Sequence, residues 1–198
     1  IAYRAARSGL ITGVLLAIAR MSGEPVSIDG HVTFRPGAAP LLALNFKGNR
    51  LPIVRTSQLL VRSDLDLQVT TNPAGVTRIS GHARPRDSLV LANFNSLLPS
   101  GPKGVTRVPP YFSVRAEPFR HWLLDVDVRG PAAVKIRTTV FNGTASAQFH
   151  LTGTLGEPRA VGELSVDQGQ VLFPFAAFHV QQGAVRLSEA DSFHARIN

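Results

Sequence analysis

Hydrophobic and polar residues alternate along most of the chain from Val26 onward, and this period-2 pattern predicts β-strands. The clearest example spans residues 59–69, where the odd positions are apolar except Ser63 and the even positions from Arg62 to Gln68 are polar. Because successive side chains of a strand point to opposite faces, such a segment has one apolar and one polar face. We therefore predict an all-β fold built on a one-sided sheet.

The same alternation recurs in later segments, at 122–128, 134–140 and 145–151 and in shorter runs that continue to Ile197. Turn signals containing glycine separate these runs. They are Asn142-Gly143, Gly156-Glu157-Pro158, Gln168-Gly169 and Gln182-Gly183. Such short gaps are typical of β-hairpins. Asn142-Gly143-Thr144 also matches a glycosylation sequon, but the hairpin turn is the stronger interpretation.

Two segments lack the alternation, and they suggest how the chain is divided. Residues 1–25 are rich in alanine and fit either two strands around Gly9 and Gly13 or a short N-terminal helix, which we favour. Residues 95–118 are rich in proline and glycine, and because proline cannot donate to a strand ladder they predict a long loop or insertion. We expect this loop to separate a first β stretch, 26–94, from a second, 119–198, with Tyr111 and Phe112 closing one end of the apolar surface.

The charge and the amino-acid composition limit which classes of molecule the chain is expected to bind. The net charge of +8, with 21 Lys and Arg against 13 Asp and Glu, suits phosphate-bearing partners such as nucleic acid or anionic lipid head groups. The basic residues are scattered singly and aromatic residues make up 7%, which argues against a nucleic-acid surface. The chain has no cysteine, so disulfides and thiolate metal sites are excluded.

The ends of the sequence and its longest apolar run indicate whether the chain is a fragment and where a membrane anchor would lie. The sequence begins at Ile1 and ends within a strand-like run, so we expect a fragment of a longer protein. The apolar run at 9–19 has about half of the ~20 residues that a membrane-spanning helix needs. We therefore expect the membrane anchor, if the whole protein has one, to lie outside these residues.

Nothing in the sequence marks a catalytic or metal site. Asp64 with Asp66, and Asp125 with Asp127, are carboxylate pairs, but each lies on the polar side of an amphipathic strand, where charges are expected in any case. The six histidines are dispersed, without the spacing of a zinc site, and neither a nucleophile elbow nor a phosphate loop occurs. We expect a protein that is not an enzyme and that uses neither cofactor nor metal.

The glycines and prolines after Trp122 follow a recurring order. Its segments are Gly153-Thr154-Leu155-Gly156-Glu157-Pro158, then Asp167-Gln168-Gly169, then Gln182-Gly183-Ala184. This order resembles the TamB family, the inner-membrane component of the translocation and assembly module, one of the AsmA-like bridging lipid-transfer proteins. The resemblance covers 122–198, and residues 26–93 resemble an earlier, looser copy through 61–67 and 79–81.

The resemblance implies a long antiparallel or mixed β-sheet, folded lengthwise like a taco around a hydrophobic groove. Such proteins are anchored in the inner membrane and cross the periplasm of diderm bacteria. They are associated with phospholipid transport to the outer membrane and with insertion of outer-membrane barrels beside an Omp85-type barrel protein. An acyl chain that leaves a bilayer loses about 0.8 kcal/mol per exposed CH₂, so a conduit must offer continuous apolar contact.

On this hypothesis, phospholipid acyl chains contact the apolar positions of the strands. The predicted groove lining is Val61, Leu65, Leu67, Trp122, Leu124, Val126, Val128, Ile136, Phe149, Leu164, Val166, Val171, Phe173, Val180, Val185 and Leu187. Two alternatives stay open at this point. One is a scaffold whose open sheet edges pair with incoming outer-membrane strands, and the other is a closed β-sandwich without a groove.

Overall fold

The described residues form thirteen strands that belong to one mixed sheet. The computed structural model describes the backbone of residues 2–5, 11–21, 23–91, 113–188 and 196–197, and the side chains of 23–91 and 113–188. In chain order the strands are β1 (Ala2–Ala5), β2 (Ile11–Met21), β3 (Glu24–Arg35), β4 (Ala38–Arg55), β5 (Leu59–Thr71), β6 (Thr77–Pro85), β7 (Ser88–Val90), β8 (Leu123–Arg137), β9 (Phe141–Gly153), β10 (Pro158–Phe173), β11 (Ala176–Val180), β12 (Gly183–Leu187) and β13 (Arg196–Ile197). A short 3-10 helix, Phe119–His121, precedes β8. The predicted all-β fold is confirmed.

Two antiparallel meanders make up the sheet. The first meander runs from β1 to β6 in order, and the second runs through β8, β9, β10, β12 and β13. They meet where β6 pairs with β8 in parallel, with Ile79 opposite Leu124 and Ala83 opposite Val128. We call this pairing the parallel seam. The short strand β7 pairs with β5 and with β8, and β11 pairs with the C-terminal part of β10.

The expected N-terminal helix is wrong. The segment Ile11–Met21 is strand β2, which pairs with β3 from Ile11 opposite Phe34 to Met21 opposite Glu24. Strand β1 adds a further antiparallel neighbour. Helix propensities differ by only a few tenths of a kcal/mol for most residues, so backbone pairing along a whole strand overrides them. Gly13 lies inside β2 rather than between strands, and Gly9 lies outside the described residues.

Two of the predicted turns are instead interior strand positions. Asn142-Gly143 lies inside β9, and the turn that precedes it is formed by residues 138–140. Gln168-Gly169 lies inside β10, just after a β-bulge that follows Val166. A second bulge, between Gly130 and Val134, keeps β8 continuous where the sequence indicated two strands. A bulge accommodates one or more extra residues without ending the strand, and so it produces the same sequence signals as a turn.

The proline-rich interruption lies only partly within the described residues. Residues 95–112, and with them Tyr111 and Phe112, lie outside them. Farther along, the backbone N–H of Val114 donates to the carbonyl of Leu155 at 2.8 Å, which fixes this segment beside the β9–β10 turn. The division of the chain at 95–118 stays a prediction, while the sheet itself continues from the first meander to the second through the parallel seam.

Burial is confined to a few side chains, most of them small. Among the described residues, the buried hydrophobic side chains are Val26, Leu51, Val126, Val128, Ala133, Ala145, Ala147 and Ala160. Leu51 lies opposite Ser63, the polar exception in the pattern of 59–69, whose small side chain is itself buried and donates to the Asp64 carbonyl at 3.0 Å. The described strands are joined by hydrogen bonds into one sheet.

Candidate functional site

One face of the sheet is apolar across both meanders, and we call it the apolar face. Residues that lie opposite each other in paired strands share a face. One row of such residues crosses seven strands from β3 to β10: Ile28, Phe46, Leu67, Gly81, Val126, Leu151 and Ala160. The next row crosses eight: Val26, Gly48, Leu65, Ala83, Val128, Phe149, Gly162 and Leu187. Neither row contains a polar side chain, and both continue through the parallel seam.

The registers bring the predicted lining residues onto this one face. In the first meander these are Val61, Leu65 and Leu67. In the second they are Leu124, Val126, Val128, Ile136, Phe149, Leu164, Val166, Val171, Phe173, Val180, Val185 and Leu187. Trp122 lies directly before β8 and packs edge-on against Phe119, with ring centroids 5.0 Å apart. Their contact with lipid stays a prediction.

Most side chains of the apolar face are only half-buried. Leu65, Leu67, Leu124 and Leu164 have intermediate exposure, and Phe173 is 57% exposed. These strands belong to one hydrogen-bonded sheet, and their apolar side chains keep part of their surface exposed. The apolar face is therefore accessible to a ligand, which a packed core would not be.

Several members of the apolar face were missing from the predicted lining. Phe46, Ile79, Leu151 and Phe178 share the face by register, and each lies directly opposite a predicted residue: Leu67, Leu124, Val126 and Val171. Their signal was the alternation itself, which continues through each of these segments. The small residues between them carried no such signal, because glycine and alanine are common on either side of a strand.

The opposite face, which we call the polar face, carries the two carboxylate pairs that the sequence displays. A charged row of Lys47, Asp66, His82, Asp127 and His150 crosses β4 to β9. Lys47 Nζ lies 3.2 Å from Asp66 Oδ2, and His150 Nδ1 lies 3.0 Å from Asp127 Oδ1. His82 Nδ1 reaches Asp127 Oδ2 across the parallel seam at 3.8 Å. These carboxylates have strand neighbours as partners, as expected for the polar side of a sheet.

The other two carboxylates of the pairs have cationic neighbours as well. Asp125 Oδ2 lies 3.1 Å from Arg78 Nη1, again across the parallel seam, and Asp125 Oδ1 lies 3.2 Å from His150 Nε2. Asp64 Oδ2 lies 3.0 Å from Arg86 Nη2 and its Oδ1 accepts the backbone N–H of Arg50 at 2.9 Å. No group of acidic and histidine side chains with the arrangement of a metal site occurs among the residues described.

Comparison with known proteins identifies one family. The model of the TamB C-terminal domain matches residues 16–198. No curated protein and no solved structure matches the chain. Over the part of the chain that the structure describes, no helix is long and apolar enough to cross a membrane.

Proposed function

The chain belongs to the TamB C-terminal domain family, and from this premise we propose that its apolar face carries phospholipid acyl chains between the inner and outer membranes. The family has a role in outer-membrane assembly and lipid transport in the bacterial envelope and works with outer-membrane partners. The observation that supports lipid carriage is the continuity of the apolar face. Its central rows cross seven and eight strands, including the parallel seam, without one polar side chain.

The dimensions of these rows suit an acyl chain. Neighbouring strands lie about 4.8 Å apart, so the row from Ile28 on β3 to Ala160 on β10 extends for about 30 Å. One leaflet of a bilayer core is about 15 Å thick, so a single acyl chain fits on the row with all of its CH₂ groups in apolar contact. A chain displaced by one strand meets an equivalent surface, so movement along the sheet does not require apolar groups to enter water.

Nothing in this mechanism requires chemistry, and we propose a protein without catalytic activity. The polar face remains hydrated while the apolar face holds lipid, which suits a sheet that extends through the periplasm. In this proposal the anchor in the inner membrane lies outside the described residues, and the partner at the outer membrane is an Omp85-type barrel protein.

Photocrosslinking tests the proposal with a matched pair of positions. A photoreactive residue at Leu124, half-buried on the apolar face, is expected to form adducts with native phospholipid in cells. The control is the same residue at Gln148, which lies exposed on the polar face of the neighbouring strand. Absence of lipid adducts at Leu124, or equal yields at both positions, contradicts the proposal.

A second candidate function, a scaffold for outer-membrane barrel assembly, is favoured by one observation. Strand β11 pairs with β10 on one side, and its other edge has no strand partner among the residues described. Such an edge can accept an incoming strand through backbone hydrogen bonds. The same crosslinking experiment with the probe at Ala177 on β11 separates the two functions: a scaffold gives adducts with unfolded barrel proteins at Ala177 and no lipid at Leu124.

A further inference from the structure

The β10–β11 hairpin ends in exposed aromatic side chains. Phe175, in the turn, is 98% exposed, and Phe173 and Phe178 on the flanking strands are each 57% exposed. The rings of Phe173 and Phe178 contact each other edge-to-face, with centroids 5.8 Å apart. Contiguous exposed apolar surface of this kind marks contact sites for proteins or membranes. Val171 and Phe178 lie opposite each other on the apolar face, so this face continues to the tip.

The polar face carries cations at the same end of the sheet. A hollow of about 430 Å³ lies over β8 to β11, and its lining includes Lys135, Arg137, Asn142, Gln170 and His179. Arg137, Asn142, Gln170 and His179 follow one another across these four strands. None of the described residues that line the hollow is a carboxylate. Within the described residues neither Lys135 nor Arg137 forms an ion pair, in contrast to Lys47 in the charged row.

The two features are held side by side. The backbone N–H of Leu172 donates to the carbonyl of Val140 at 2.8 Å, which ties the β10–β11 hairpin to the β8–β9 turn. Lys135 and Arg137 lie at the end of β8, immediately before that turn. The aromatic tip and the cationic hollow therefore lie at the same end of the second meander, where the β8–β9 turn and the β10–β11 hairpin are found.

We propose that this end of the sheet docks on the surface of an anionic phospholipid bilayer. Phe175 enters the acyl region, with Phe173 and Phe178 at the interface, while Lys135 and Arg137 contact lipid phosphates. Aromatic side chains favour the membrane interface, and cations near an anionic surface gain attraction from it. The net charge of +8 adds a long-range component with the same sign. The apolar face, which continues to Phe178, then opens directly at the bilayer.

A bilayer explains these observations better than a protein partner does. A protein partner with a pocket for Phe175 would explain the exposed aromatic tip alone. The cationic hollow, with no carboxylate among its described lining residues, is explained by lipid phosphate groups, which bind Lys and Arg side chains. Docking does not depend on lipid movement along the apolar face. Vesicle binding therefore tests the docking of the sheet end, and crosslinking at Leu124 tests lipid carriage on the apolar face. Either experiment can fail without the other.

Vesicle flotation of the full chain tests the docking. Binding is measured on vesicles of phosphatidylcholine with and without phosphatidylglycerol, and the protein is expected to float preferentially with the anionic vesicles. Phe175→Ser is expected to weaken binding about tenfold, because one buried aromatic side chain is lost. Lys135→Gln together with Arg137→Gln is expected to weaken binding to anionic vesicles about thirtyfold and to leave binding to neutral vesicles unchanged.

Matched variants at the opposite end of the sheet provide the controls. Val76 is 43% exposed in the β5–β6 turn, and Arg115 and Arg159 are exposed cations near the β9–β10 turn. Val76→Ser, and Arg115→Gln together with Arg159→Gln, are expected to bind vesicles as the unmodified chain does. Equal loss in the control and tip variants, or none in the tip variants, overturns the proposal.

Insertion is measured separately by fluorescence. Tryptophan in Phe175→Trp is expected to be quenched by phospholipids brominated on their acyl chains, and tryptophan in Val76→Trp is not; Trp122 is common to both proteins. Circular dichroism confirms that each variant retains its β-sheet. Quenching that is the same in both variants overturns insertion of the tip, as does binding that requires an outer-membrane barrel protein in the vesicles.

Discussion

At the scale of single residues, glycine determines how closely the strands of the apolar face can pair. Gly81 and Gly162 have φ values of +132° and +148°, which side chains rarely adopt. A Cβ atom at Gly81 would lie 2.2 Å from the Asp66 carbonyl oxygen, and one at Gly162 would lie 2.3 Å from that of Gln148. Both contacts are with backbone, which cannot move aside without separating strands. These two glycines are therefore required by the pairing itself.

The prediction at this scale concerns Gly162→Ala. The added methyl must push β9 and β10 apart, so we expect a loss of about 2–4 kcal/mol in the free energy of unfolding. Urea denaturation followed by circular dichroism measures it. Gly183→Ala is the control, since its Cβ would meet Val166 Cγ2 at an ordinary 3.4 Å, and it should change stability by less than about 0.5 kcal/mol. A similar loss in both variants would show that strand separation is not the cause.

At the scale of elements, the polar face strengthens the parallel seam. Parallel pairs are slightly less stable per residue than antiparallel pairs, and the two meanders are joined by parallel pairing, that of β6 with β8 and the shorter one of β7 with β8. Arg78 forms an ion pair with Asp125 across this seam at 3.1 Å, and His82 Nδ1 lies 3.8 Å from Asp127 Oδ2. Asp127 also binds His150 on the other side of β8, so one carboxylate links three strands. The carboxylate pairs that the sequence displays thus have a structural role.

We predict that Asp125→Asn destabilises the sheet by about 0.5 kcal/mol, because its partly exposed ion pair with Arg78 across the parallel seam is lost. The difference should shrink at high salt, because exposed charges are screened. Thermal unfolding at low and high sodium chloride measures both effects. In the control, Asp87→Asn, the carboxylate lies at a long 3.8 Å from Arg50 Nε, and the residue has a φ of +49°, which asparagine tolerates. We expect no destabilisation there, and a salt-independent loss at Asp125 would contradict an ionic role.

At the scale of the whole molecule, the distribution of burial sets this chain apart from a closed domain. A globular core encloses large side chains completely, whereas Leu51 is the one large hydrophobic side chain that is fully buried among the described residues. The remaining apolar area lies along one face of a single sheet. A protein that leaves such a face uncovered invites aggregation unless a ligand occupies it, and a lipid chain is the occupant that we propose.

A charge on the apolar face tests this view. We predict that Leu67→Glu weakens binding of a fluorescent phospholipid about tenfold or more, because the carboxylate must lose water beside an acyl chain. Gln68→Glu adds the same charge to the adjacent, exposed position on the polar face and should bind as before. Fluorescence titration measures the affinity, and circular dichroism confirms the fold. Equal affinities in the two variants would argue against a lipid on this face.

The sequence predicted the two faces well and the connections in part: Gly156-Glu157-Pro158 and Gln182-Gly183 do mark turns, and the other two signals do not. Alternation has a period of two in any strand, whatever its neighbours, so Leu65, Leu67 and Leu124 could be assigned to one face before their pairing was known. Turn signals are less specific, since Asn142-Gly143 and Gln168-Gly169 suit the interior of a bulged or closely paired strand equally well. The parallel seam and the strand β2 depend on partners distant in sequence, and no local pattern records them.

The parallel seam also has a consequence for how the chain folds. Every other long pairing among the described strands joins neighbours along the chain, so each meander can form through local contacts alone, whereas Ala83 and Val128 must close a loop of about 45 residues. Closing this loop costs about 3 kcal/mol in chain entropy, and the chain bears this cost only once during folding. Contact order therefore stays low on both sides of the seam, and hairpins can be added at either outer edge without further long loops. A sheet organised in this way can be lengthened in small steps while its folding rate changes little.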